Sequence, residues 1–217
     1  VALADIDHVE IIEGASSRVF GTSAFNGAIN IVTKKASANG VEANVEAGSF
    51  GSLGAQGGLQ MAFRSGKWEQ AYSVSGGYKR SDGGTENSDF EKGQGYANLS
   101  LSYDRRVDIG AQLGIATQSY GANTFYSAKF NNQYEKTDHG IASLNVSVHN
   151  QGRTWEVTPA VYYNKFKDHY QLTRGKEGAA AGENYHNLDV FGGAVNAYVD
   201  WIAGKTAVGV DIGKERI

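Results

Sequence analysis

The chain has 217 residues, with 29 glycines, a single proline, no cysteine, and tyrosine the commonest aromatic at 12. This composition excludes a disulfide scaffold and thiolate metal sites. A net charge of −3 gives no basic field for nucleic acid, and no run of about 18 apolar residues exists that could form a transmembrane helix. Abundant Gly and Tyr with almost no Pro favour long antiparallel strands, because proline removes a ladder donor and aromatics suit a pleated, half-buried surface.

In chain order, two short β-rich runs come first, Val9 to Ile12 and Ile29 to Val32, expected as buried strands. Between them lies a Gly/Ser/Ala segment that contains Ser16 and in which Gly14, Gly21 and Gly27 mark turns or close backbone approaches. From about Val41 onward one unit repeats: about ten residues alternating apolar and polar, then a turn. The clearest copy sets Ala97, Leu99, Leu101 and Tyr103 against Asn98, Ser100 and Ser102. Val107, Ile109, Ala111, Leu113 and Ile115 form the next, and Ala142, Leu144, Val146 and Val148 another. Weaker copies run from Leu53 to Phe63, Trp68 to Tyr78, Trp155 to Val161, Val195 to Trp201 and Val208 to Ile212.

About nine antiparallel strands result, since the connections are too short for parallel crossovers. Connection lengths alternate: short at 64–67, 104–106, 150–153 and 203–205, long at 80–93, 118–134 and 171–187, after a brief first hairpin at 49–52. Tight turns at one end and extended loops at the other are the pattern of outer-membrane barrels. Trp68, Tyr103, Trp155 and Trp201 all lie beside short turns, where an interfacial girdle places them. The expected fold is therefore all-β, a fragment of an antiparallel transmembrane β-barrel. An odd strand count leads us to expect that the chain stops part-way round, because closed single-chain barrels have even counts.

The stretch from Val9 to Lys34, VEIIEGASSRVFGTSAFNGAINIVTK, resembles the end of the plug domain of TonB-dependent outer-membrane receptors, including Asn30 in its closing N-I-x-T-K. It departs from the family pattern at Ala15, Phe20, Asn26 and Ala28. The resemblance implies residues 1–38 as the end of an α+β plug and 39–217 as the first part of a plugged barrel of about 22 strands. It further implies an outer-membrane location in a Gram-negative bacterium, contact with lipid, energised uptake of a scarce nutrient, and TonB contacting a segment preceding Val1. A second, shorter stretch, Gly121 to Glu135, resembles receptors of cobalamin-transporter type. Cobalamin is therefore the expected ligand, with siderophores or haem close behind.

Asn123, Phe125, Tyr126 and Tyr134 are candidate ligand contacts, since amide and aromatic groups on a long loop can both stack on and hydrogen-bond a polar organic molecule; loop packing is the alternative. Asp82, Glu86, Asp89 and Glu91 offer the hard oxygen ligands that suit Ca²⁺. Cobalamin-type receptors use loop calcium, but the spacing matches no EF-hand and a solvated acidic loop is the alternative. His8, His139, His149, His169 and His186 lie on separate elements without metal-ligand spacing. No nucleophile-elbow, phosphate-loop or zinc-protease motif occurs, so no enzyme and no required cofactor is expected. Two rivals to a receptor remain at this point: a passive porin or adhesin-type barrel, and a soluble β-sandwich that binds or hydrolyses carbohydrate with carboxylates such as Glu86 and Asp89.

Overall fold

The computed structural model describes residues 5–13 and 27–217. Two strands, β1 (Ile6–Glu13) and β2 (Gly27–Thr33), pair antiparallel as a separate ribbon. Nine more form one sheet: β3 (Gly40–Ala47), β4 (Leu53–Ser65), β5 (Trp68–Ser81), β6 (Phe90–Tyr103), β7 (Val107–Gly121), β8 (Tyr134–His149), β9 (Trp155–Gln171), β10 (Glu183–Trp201) and β11 (Gly204–Arg216). Each pairs only with its neighbours in sequence, so the sheet is an antiparallel meander with β3 and β11 at its edges. This is the all-β, nine-stranded section of a barrel wall that the alternation and the short connections dictate.

Register fixes the two faces, because residues directly opposite across a ladder share a face. Leu59, Val74, Ala97, Leu113, Ala142, Tyr163 and Phe191 form one continuous row through successive pairings. The intervening residues, such as Asn98, Gln112 and Ser143, form the polar face. Trp68 and Tyr103 are direct partners with ring centroids 4.8 Å apart, and Trp155 pairs with Val199 one step from Trp201. All four girdle aromatics thus lie on the apolar face at the short-turn end. That face stays exposed, with Val195, Leu113 and Val210 at half or more of full accessibility. An exposed, continuous apolar face of this extent marks contact with lipid or another apolar partner.

The long connections are shorter than the sequence suggests, spanning 82–89, 122–133 and 172–182. Strands of 13 to 19 residues from β4 onward exceed the 9 to 11 or so needed to cross a bilayer. Their loop-side ends carry polar residues on both faces, so ladder pairing continues where the alternation signal stops. Glycines on the polar face admit large cross-strand neighbours: a Cβ on Gly192 would lie 2.3 Å from Cζ of Tyr162, its direct partner.

The β1–β2 ribbon is attached to the polar face. The Ser75 hydroxyl donates to Asp5 Oδ2 at 2.7 Å, the Tyr96 hydroxyl to Thr33 Oγ1 at 3.1 Å, and Asn98 Nδ2 to the same oxygen at 3.3 Å. The expectation that these strands are buried is not met, since Val9, Ile11, Ile29 and Ile31 are all 50% or more exposed. A two-stranded ribbon cannot cover its own face, and burial needs a further packed layer. Asn30 lies in the ladder opposite Glu10 and donates to its Oε2 at 2.7 Å, and Gly27 pairs with Glu13. Gly14, Ser16 and Gly21 lie outside the described residues.

Candidate functional site

The three long connections converge at one end of the sheet and are tied together by side chains. Gln133, fully buried, donates from Nε2 to the carbonyl of Phe130 at 2.8 Å and accepts the Tyr170 hydroxyl at 2.8 Å. Asn87 Nδ2 donates to the Gln133 carbonyl at 2.6 Å and to that of Asn131 at 3.1 Å, joining the first connection to the second. Arg174 of the third connection forms a two-pronged pair with Asp89, Nη1 to Oδ1 at 2.6 Å and Nη2 to Oδ2 at 2.9 Å. Its Nη1 also reaches Asn87 Oδ1 at 3.2 Å, its backbone N–H donates to Asn132, and its guanidinium lies over the Tyr134 ring. The direct hydrogen bonds from Arg174 hold the Asp89 carboxyl below the ordinary carboxylate range.

On the polar face beneath these connections, Tyr120, Glu135 and Tyr170 are successive cross-strand partners on β7, β8 and β9. The Tyr120 hydroxyl donates to Glu135 Oε2 at 2.6 Å, and the Tyr126 hydroxyl, arriving from the second connection, donates to the same oxygen. Tyr126 meets Tyr170 edge to face at 5.6 Å, and Phe125 meets Tyr126 at 4.9 Å. Burial and the adjacent Glu135 carboxylate raise the Tyr126 hydroxyl above its usual range, so it remains a donor. One step further down, Asp168 faces His186 with Oδ2 to Nδ1 at 3.4 Å, while its buried Oδ1 has no hydrogen-bonding partner among the described residues.

The four predicted ligand contacts separate. Phe125 and Tyr126 stand at the mouth of this aromatic wall, 76% and 51% exposed. Asn123 has its amide engaged, with Nδ2 donating to the Glu86 carbonyl at 2.7 Å, so it fastens two connections together. Tyr134 falls on the opposite face, in register with Gly121 and Gln171, under Arg174. The four acidic residues considered for calcium also disperse. Asp89 is paired with Arg174, Glu91 accepts the Tyr78 hydroxyl at 2.9 Å, Asp82 lies 3.7 Å from Arg80, and Glu86 contributes its carbonyl to Asn123. Among the described residues no three His, Asp or Glu side chains are grouped to hold a metal ion.

Sequence reasoning missed Tyr120, Glu135, Asp168 and Tyr170, although a signal for them exists. Counting in twos from Gln112, Ser143 and Glu156 along β7, β8 and β9 places all four on the polar face at the loop end. The Arg174–Asp89 pair has no comparable signal, because 85 residues separate its members.

No protein-family model and no curated protein sequence matches the chain. Among solved structures it is similar to the siderophore receptor PiuA from Acinetobacter baumannii, with a TM-score of 0.74 at 14% identity over 98% of this chain and 35% of that one. It is also similar to the ferric-catecholate import receptor Fiu from E. coli K12 in its open form, with a TM-score of 0.72 at 14% identity over 98% of this chain and 40% of that one. The chain therefore spans well under half the length of either structure, and at this identity the likeness is one of fold.

Proposed function

We propose that the chain is part of a TonB-dependent outer-membrane receptor that takes up a scarce nutrient, with residues 1–38 belonging to the plug and 39–217 to the barrel wall. The observation that carries this reading is the β1–β2 ribbon fastened by Ser75, Tyr96 and Asn98 to the polar face of a sheet whose other face is apolar and rimmed by tryptophans. A ribbon held inside and an apolar band outside are what a plugged transmembrane barrel requires. The resemblance of Val9 to Lys34 to a plug end, and the fold shared with two nutrient receptors, support the same reading. A passive porin accounts for the sheet but gives no role to the ribbon.

In this reading the loop-end wall of Phe125, Tyr126, Tyr120 and Tyr170 meets the nutrient, and TonB supplies the energy that moves the plug. The structural neighbours are named for siderophores and ferric catecholates, which moves iron complexes ahead of cobalamin as ligands. The test is uptake of radiolabelled ferric siderophores and of cobalamin by nutrient-starved cells expressing the full-length protein, with and without a functional TonB system. Uptake that needs both supports the proposal, and uptake independent of TonB contradicts it.

A further inference from the structure

Resting on that receptor reading, we infer that this wall receives the cationic, donor-bearing side of its ligand, which selects neutral or positively charged metal complexes over polyanionic ones. Tyr126 and Tyr170 present ring surface beside the carboxylates of Glu135 and Asp168, and exposed Phe125 extends that surface to the mouth. Aromatic faces next to carboxylates attract alkylammonium groups, through the ring quadrupole and through charge-assisted hydrogen bonds.

Two features separate this from an ordinary solvated acidic patch. The buried Asp168 Oδ1 is an acceptor with no partner among the described residues, a costly state unless something donates to it. The loop-end lysines of β8 and β9, Lys136, Lys165 and Lys167, also fall by register on the opposite face, while Arg174 is engaged by Asp89, and Lys79 by Glu46 at 2.6 Å. Lys92 lies with the Lys79–Glu46 pair in a separate polar depression. A polyanion approaching Glu135 and Asp168 would therefore meet like charge with no compensating lysine or arginine on that face of β7 to β9.

The test uses the full-length protein in detergent, shown to be folded by its heat-dependent mobility on gels, and measures calorimetric binding of two ferric complexes. One is a monocationic trihydroxamate carrying a free alkylammonium group, the other a trianionic tris-catecholate. The cationic complex is expected to bind at least about tenfold more tightly, and Asp168→Asn or Glu135→Gln to reduce that preference by about tenfold. Equal or tighter binding of the tris-catecholate, no binding of the cationic complex by the folded barrel, or an unchanged preference in both variants would each overturn the inference. The receptor reading stands or falls separately, on TonB-dependent uptake.

Discussion

Replacing Arg174 with alanine tests how the loop end is held. The substitution removes both prongs to Asp89, the contact with Asn87 and the cation over Tyr134. Both members of the ion pair are more than a third exposed, so solvent screens it and its contribution is about 1 kcal/mol despite the two-pronged geometry. The cation over the ring adds about 0.5 kcal/mol. A local loss of about 1.5 kcal/mol corresponds to roughly tenfold more frequent opening. Hydrogen exchange should therefore accelerate about tenfold at the amides of Gly121, Ala122 and Asn123, which donate across these connections, while β6 and β7 near Leu99 and Ala111 exchange as before. Because pairing depresses the folded-state pKa of Asp89, its contribution is complete above the ordinary carboxylate value of about 4 and fades as pH falls through the lower folded value. The same acceleration should thus appear in the unsubstituted protein only in strong acid. Unchanged exchange in the variant at neutral pH would refute the clamp.

Gln133→Ala leaves the Tyr170 hydroxyl without a partner and the Phe130 carbonyl with only the Thr124 N–H, a cost of about 2 kcal/mol, and limited proteolysis should cut the 122–133 connection several-fold faster. Gly83 has φ of +81° and a Cβ there would sit 2.5 Å from the Ser88 backbone, so Gly83→Ala should distort the 82–89 connection at about 1 to 3 kcal/mol, read by the same assay; Gly140→Ala meets open space and should be tolerated. Tyr96→Phe combined with Asn98→Ala removes both donors to Thr33 and should speed exchange in β2 without changing the thermal unfolding of the wall. Because Asp82, Glu86 and Asp89 of the first long connection and Glu91 of β6 are dispersed or paired, millimolar calcium should leave exchange at 82–89 unchanged, as hydrogen exchange with and without chelator will register.

The wall was legible because a period of two is written directly into residues such as Ala97, Leu99 and Leu101, and a one-residue slip would turn that whole row to the other face. Loop lengths were overestimated for a related reason. Segments such as Arg80 to Ser81 and Glu91 to Gly93 carry no apolar side chain on either face, so nothing in their sequence distinguishes a strand end from a loop although they pair in full register. The site was half legible. Phe125 and Tyr126 stand out as aromatics on a long connection, whereas the roles of Asn123 and Tyr134 depend on the Glu86 carbonyl and on Arg174, contacts set by how the connections fold over one another.

The orientation of the wall in an outer membrane is the claim on which the account turns, and these 217 residues contain no cysteine, so a single introduced thiol reports it once any cysteine elsewhere in the full-length protein has been replaced by serine. Single substitutions Phe125→Cys, at the exposed loop end, and Gly152→Cys, in a short turn, are made in the full-length protein and exposed to a membrane-impermeant maleimide on intact cells. The account predicts labelling of the Phe125→Cys protein on intact cells and of the Gly152→Cys protein only after the outer membrane is opened. Labelling of both on intact cells, or recovery of the protein in the soluble fraction, would contradict it.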